Sequence, residues 1–397
     1  MNQFRNSESP ALVYRLLCCC SCLILLCMGI GAASTNNLPS KTYHDSWGNH
    51  VYRGANVAGY SIWDGKARLA HPLTVEDFRV LRSWGADHIR LQITGELPII
   101  NKDTVPTFSE ESWQKLDAVV AQAHQAGLKV ILDLHQGNVF VPSMTDPEGW
   151  WKPEGLARWQ SPLACQGLSA LWGAIAKHYA KDRKTILGYD IFNEPRLPEN
   201  QDGWNQWNAL CTQVIKSIRA EDRYHTIILE AACSANQRRL DKMTPLLQVD
   251  PSLVFSIHIY DPWIFCGQGT DGKPATIAYP GMMPNSAVGV TKPVMVDKAW
   301  LIRDLQPAVD FQQKTGARIY VGEFNAIRFA PDNSAARWLE DALSVFDANG
   351  WSWDYHCFRE WQGWDLEIGT TDKADTKRVP TTDRLEIVKK YFHATIK

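Results

Sequence analysis

Eight short apolar runs, most followed by a helical pattern, set the strongest limit on what this chain can fold into. They lie at residues 50–57, 86–93, 129–135, 186–194, 226–231, 253–260, 317–323 and 350–358. The runs are nearly continuous in apolar residues rather than alternating, as strands buried on both faces must be. Amphipathic segments with helix starts and stops stand between them, at 112–126 closed by Gly127, 163–180, 204–221, 300–315 closed by Gly316, and 334–348. Such an alternation predicts an α/β chain folded as a (β/α)8 TIM barrel. An open, doubly wound sheet is the alternative. It lacks support, because Arg53-Gly54-Ala55-Asn56-Val57 stands where a Gly-rich phosphate loop would follow the first strand.

The chain's 397 residues could hold one large domain or two small ones. No internal repeat, low-complexity tract or interdomain linker divides them, so one barrel domain is expected over 34–397. Ahead of it, Arg5 and Arg15 precede an apolar run over 16–33, which ends in small residues and then Ser34-Thr35-Asn36-Asn37. That is the pattern of a signal peptide at 1–33, and it predicts secretion or export to the cell envelope. An uncleaved anchor competes with this reading, because the run is about long enough for a marginal span. A lipid-attached Cys is disfavoured, since no cysteine there follows the small residues such processing prefers. No other membrane contact is expected.

Five of the ten cysteines fall in that segment. The others, Cys165, Cys211, Cys233, Cys266 and Cys357, show no C-x-x-C spacing, so neither a zinc site nor a redox motif is indicated. One or two disulfides remain open for an exported protein. A net charge of -2 provides no basic field, which argues against nucleic acid as a partner, and a monomer is expected.

The ends of the runs carry the chemistry. Ile186-Leu-Gly-Tyr-Asp-Ile-Phe-Asn193-Glu194-Pro195 is a strand that stops at an amide, a carboxylate and a proline. Ala317-Arg-Ile-Tyr-Val-Gly322-Glu323-Phe324 repeats the design, with a Gly that lets the backbone approach closely before a second Glu. A lone Glu after a strand is more often a surface carboxylate capping the next helix. Here Arg90, His135, Asn193, His258 and Tyr260 stand at matching positions near other strand ends, and parallel strands bring those ends together. On this reading only the fifth strand, and perhaps the first, brings no polar or aromatic group. Two strand-end carboxylates are what glycosidic bond cleavage needs, one as proton donor and one as nucleophile or base. Seventeen Trp favour a carbohydrate-facing cleft, because indole faces stack on the apolar faces of sugar rings, although most should be core. Long loops at 136–160, with Trp150, Trp151 and Trp159, and at 261–297 should emerge on the same face.

With these residues in view, the chain resembles glycoside hydrolase family 5, a family of retaining barrel glycosidases, and the similarity spans nearly all of the chain after the signal segment. The Ile-Phe-Asn193-Glu194-Pro195 motif is its specific element. The resemblance implies Glu194 as general acid/base and Glu323 as nucleophile. It further implies Arg90 and Tyr260 holding the nucleophile, Asn193 on the sugar 2-hydroxyl, and His135 and His258 around the remaining hydroxyls and the acid. Glu323 would be ionised beside Arg90 and Tyr260, and Glu194 would enter the reaction protonated. Retention requires the two carboxyls about 5 to 5.5 Å apart.

Two departures stand out. Asn325 follows Phe324 where many relatives have Gly, and the last strand reads Trp351-Ser-Trp-Asp-Tyr-His356-Cys-Phe-Arg-Glu-Trp361-Gln-Gly-Trp364 where the family places a Trp as the floor under the sugar. Trp361 is the candidate floor, with His356 and Phe358 as alternatives, and Trp63 is a second platform candidate. The expected activity is endo-acting cleavage of a β-linked polysaccharide by double displacement, without metal or cofactor. β-1,4-Glucan is the expected substrate, and mannan, xyloglucan and β-1,3-glucan remain open. A metal-dependent barrel hydrolase lacks its His-x-His. A non-catalytic glycan-binding barrel would not need both Glu194 and Glu323.

Overall fold

The computed structural model describes residues 44–58, 73–93, 108–135, 162–285, 290–369 and 371–394. The signal-like segment, Trp63 and the 136–160 loop lie outside the described residues. Strands form at each of the eight runs: β1 (Arg53–Val57), β2 (His88–Ile93), β3 (Lys129–Leu134), β4 (Ile186–Asp190), β5 (Thr226–Glu230), β6 (Val254–Ile259), β7 (Arg318–Phe324) and β8 (Ser352–Tyr355). Each pairs in parallel with its neighbours in chain order, and β8 pairs with β1 to close the barrel.

The connecting helices include α1 (Val75–Ser83), α2 (Glu110–Gln125), α3 (Pro162–Tyr179), α4 (Gln201–Glu221), α5 (Lys298–Thr315), α6 (Ser334–Ala348) and α7 (Asp383–Phe392). Their ends follow local chemistry. Thr74 and Asp77 form a reciprocal capping box at the start of α1. Asp297 accepts from the Trp300 N–H at 2.8 Å to start α5, and Gly316 ends it in the left-handed conformation at φ +66°. Between β5 and β6 no helical pattern was legible. A 3-10 run, Gln237–Gln248, takes the place of a helix there and contains Pro245, which lacks the N–H that a longer α-helix would use. The long stretch after β6 contains an antiparallel hairpin, Gly281–Asn285 with Val290–Val296. No disulfide joins Cys211, Cys233, Cys266 and Cys357, and no helix among the described residues is long and apolar enough to cross a membrane.

Side chains alternate along a strand, so every second residue of each barrel strand faces the axis. The lower interior is a small apolar cluster of Ile131, Leu187, Ile228, Val254 and Tyr320, closed by Trp47 and Tyr52. The larger core lies between strands and helices. Polar groups begin already within the barrel. His88 on β2 is fully buried and forms ion pairs at 2.7 Å with Asp354 on β8 and at 2.7 Å with Asp87. The Tyr320 hydroxyl donates to Asp354 at 2.6 Å. Gly54 on β1 leaves room for this pair, because a Cβ there would lie 2.3 Å from Asp354 Oδ1.

Burial alone would lower the pKa of His88, but the carboxylates of Asp354 and Asp87 raise it to about 9. A folded-state value above the unfolded one means stability that is fully present below pH ~6.5 and lost as pH rises through about 9. The wild-type protein should therefore lose up to ~3 kcal/mol across that window relative to His88→Gln. Urea denaturation of both proteins between pH 6 and 10 checks this, and parallel pH profiles would refute it.

Candidate active site

Two residues above His88 on the same face of β2, Arg90 is wholly buried, and each of its five N–H groups has an acceptor. Nε donates to Asp190 at 2.9 Å, Nη1 to Asn56 at 2.8 Å and to Glu323 at 3.0 Å, and Nη2 to Asn193 at 3.0 Å and to Glu230 at 2.8 Å. Asp133 adds an ion pair at 3.0 Å. One guanidinium thereby ties together residues from β1, β2, β3, β5 and β7 and the segments around β4. Burial pushes Asp190 well above the ordinary carboxylate range, and Glu230 and Asp133 add to that push against the opposing charge of Arg90.

Glu323 is almost fully buried at the end of β7. Its Oε1 accepts from Arg90, and its Oε2 accepts from the Tyr260 hydroxyl at 2.9 Å. Burial alone would raise its pKa, but the surrounding cations hold it well below the usual carboxylate range. His356, with Nδ1 3.5 Å from Oε2, faces it as well. Burial, however, pushes His356 itself below the ordinary imidazole value, so the effective cations are His258, Arg90 and His135. Tyr260, driven well above the usual phenol range by burial and by Glu323, keeps its proton and remains a donor.

Glu194 stands opposite, at the exit of β4, with a left-handed backbone at φ +45°. The Glu230 carboxylate accepts its backbone N–H at 2.6 Å, and its side-chain Oε1 meets His258 Nδ1 at 3.1 Å. Arg196 Nη2 approaches the other oxygen at 3.5 Å. Carboxylate oxygens of Glu194 and Glu323 and a ring nitrogen of His258 all lie within 4.8 Å of one another. The register of β6 and β7 shifts between Ile257 and His258, so that His258 lies opposite Glu323. Gly322 makes this approach possible, since a Cβ there would be 2.5 Å from Ser256 Oγ and 3.1 Å from His258 Nε2. His135, at the end of β3, is held by Asp133 at 2.8 Å, and its Nδ1 lies 3.9 Å from Glu323.

Arg90, His135, Asn193, Glu194, His258, Tyr260 and Glu323 are thus gathered at one end of the barrel. All but Arg90, which lies beneath, border a cleft of ≈ 480 Å³ that His356, Glu360, Trp263 and Trp364 also line. Trp361 does not join them there. It packs edge-on against Trp364, with ring centroids 5.0 Å apart, and it is Trp364 that reaches the cleft, stacked on Tyr260 at 5.1 Å. The Asn325 amide donates to the carbonyls of His356 at 2.6 Å and Trp364 at 3.0 Å, so this departure from the family pattern anchors the loop after β8. Trp263, 55% exposed, stands at the rim after β6.

The largest omission in the sequence reading is Glu230, since β5 was expected to bring nothing polar. Its signal was present, because Thr226-Ile-Ile-Leu-Glu230 is an apolar run ending in a carboxylate, the same design as β7. Asn56, Asp133 and Asp190, the other partners of Arg90, sat inside apolar runs and went unremarked. Among the described residues, two groups of side chains have metal-ligand spacing, Glu194 with His258 and Glu323, and His356 with Cys357 and Glu360. In the first, burial would lower His258, but Glu230 and Glu323 hold it well above the ordinary imidazole value, which favours the protonated ring over a ligand. In the second, burial raises the Cys357 thiol and disfavours the thiolate a metal would bind.

The family model described as cellulase (glycosyl hydrolase family 5) matches residues 45–360, and the chain belongs to that family of glycosyl hydrolases. Endoglucanase C of Acetivibrio thermocellus is 25% identical over 344 residues, spanning 81% of this chain and 92% of its own length. Cellodextrinase A of Ruminococcus flavefaciens is 24% identical over 318 residues, spanning 78% and 86%. Among solved structures, endoglucanase Cel5A of the hyperthermophilic Thermotoga maritima shares the fold with a TM-score of 0.64 at 23% identity, over 85% of this chain and 96% of its own.

Tyr260→Phe keeps the ring on Trp364 and removes the hydrogen bond to the ionised form of Glu323. The change should raise the pKa of Glu323 and lower kcat/KM roughly ten- to a hundredfold at neutral pH. Steady-state kinetics of the folded variant measure this, and an unchanged kcat/KM would count against it.

Proposed function

We propose that this protein is a retaining, endo-acting β-glycosidase that cleaves β-1,4-glucan by double displacement, with Glu323 as nucleophile and Glu194 as acid/base. The observation that carries the reading is the carboxylate pair. Oxygens of Glu194 and Glu323 lie within 4.8 Å, a separation of the retaining kind that leaves no room for a water to attack directly. Their surroundings differ as the two roles require. Glu323 is buried, ionised and gripped by Arg90 and Tyr260, which orient it for attack on the anomeric carbon. Glu194, more exposed, faces the same cleft and delivers its proton to the departing oxygen. When Glu323 becomes an ester, its negative charge leaves the site, and Glu194 then takes a proton from the incoming water. Asn193, whose amide oxygen accepts from Arg90, keeps its NH2 group for the sugar 2-hydroxyl. Trp364 provides an aromatic wall beside Tyr260.

The glucan assignment is supported by relatives named endoglucanase and cellodextrinase. A β-mannan is the second reading, because Thermotoga maritima Cel5A has been solved with mannotriose as well as with cellobiose. Export through the 1–33 segment would place the enzyme where such polymers occur.

Reducing-sugar release from carboxymethyl cellulose, mixed-linkage glucan, xyloglucan, glucomannan and laminarin tests the substrate, with Glu323→Ala as the inactive control. Activity on glucomannan alone would replace the glucan reading with the mannan one. Azide should restore activity to Glu323→Ala with inverted product, and a folded variant that azide leaves inert would remove Glu323 as nucleophile. Glu194→Ala should lose about a hundredfold or more on natural substrates and far less on dinitrophenyl glycosides. Equal losses on both would remove Glu194 from the acid role.

A further inference from the structure

Glu230 contributes two contacts to the acid/base side of the cleft. Its Oε2 accepts the backbone N–H of Glu194 at 2.6 Å, where that residue holds a left-handed conformation unfavourable for a side chain larger than glycine. Its Oε1 accepts from Arg90 at 2.8 Å and lies 3.0 Å from His258 Nε2, in the geometry of an ion pair rather than a directed hydrogen bond. The other ring nitrogen of His258 reaches Glu194 Oε1 at 3.1 Å. A carboxyl group therefore stands at each nitrogen of one imidazole, and once Glu194 has given up its proton the doubly protonated ring is the form that suits both. Glu230 itself has no exposure and does not line the cleft, so it touches no substrate.

We propose that Glu230 is the positioning residue of the acid/base, holding Glu194 by its backbone directly and by its carboxylate through His258, and keeping His258 charged after Glu323 has been esterified. This rests on the reading of Glu194 as acid/base. In the free enzyme His258 sees the carboxylates of Glu230 and, at 3.8 Å, Glu323, together with the acid group of Glu194. Formation of the sugar ester neutralises Glu323, and the proton delivered by Glu194 leaves with the aglycone. The remaining carboxylates, Glu194 and Glu230, then face the same ring, and Glu230 is the one that takes no part in the proton traffic. It thus supplies a fixed counter-charge through both halves of the cycle, so that Glu194 meets the incoming water with its orientation unchanged.

Glu230→Gln forces a choice, because one amide offers a single acceptor oxygen. If the oxygen faces the Glu194 N–H, the NH2 group confronts Arg90 and His258; turned round, it confronts the N–H. Glu230→Asp keeps the charge beside Arg90 on an arm too short for both contacts. For both variants, rates per titrated active site should fall about a hundredfold on cello-oligosaccharides, whose leaving groups need a proton, and less than about fivefold on dinitrophenyl β-cellobioside glycosylation. Losses equal on the two substrates, or absent, overturn the proposal even if the variants melt earlier. Should the Gln variant fail to fold, the Asp variant decides. Independently of any variant, nitrogen NMR of the wild-type protein trapped with a 2-fluoro cellobioside should show the His258 ring still doubly protonated, and a neutral ring overturns the proposal. Equal losses in Glu194→Ala would instead sink the reading of Glu194 itself, which separates the two failures.

Discussion

The buried guanidinium of Arg90 is the interaction on which the rest of the site depends. Removing such a group from water is costly, and the cost is offset only when every donor is used and opposite charge is close. Arg90 meets both conditions by collecting acceptors from around the barrel, so the strands that supply them are fixed relative to one another at the level of the chemistry. The same contacts that satisfy Arg90 aim Glu323 and Asn193. Stability of the upper barrel and orientation of Glu323 are therefore not separate properties of this protein. A change that loosens one alters the other.

A second consequence is an electrostatic division of the cleft. On one side, Arg90 and Tyr260 both bind the ionised form of Glu323. On the other, Glu194 faces a positively charged His258 whose own partner is a second carboxylate, Glu230. Two glutamates a few ångströms apart are given different environments by their neighbours, the difference that the proposed reaction requires of an attacking group and a proton carrier.

The barrel was legible because strands buried on both faces leave continuous apolar runs and helices leave 3.6-residue periodicity, and both signals survive in a single sequence. Asn193, Glu194 and Glu323 were legible because they interrupt such runs at their ends. Glu230 obeys the same rule but lacks the neighbouring amide and proline that drew attention to Glu194. The partners Asn56, Asp133 and Asp190 were not legible, since a polar residue inside a strand shows its meaning only when the opposite wall of the barrel is known. The aromatic wall was harder still. Trp361 and Trp364 are three residues apart in a loop without periodicity, and the carbonyl of Trp364 is held by Asn325, a residue distant in sequence.

That last contact has a mechanical meaning. Asn325 follows β7 by one residue and grips the loop after β8 at two carbonyls, those of His356 and of Trp364 itself. Trp364 and Glu323 are thus riveted to a common frame, so that, on the proposed function, a sugar ring leaning on Trp364 would be measured off against Glu323 by a rigid gauge instead of a hinged one. Redesigning this loop for a bulkier sugar would mean moving the rivet as well as the wall.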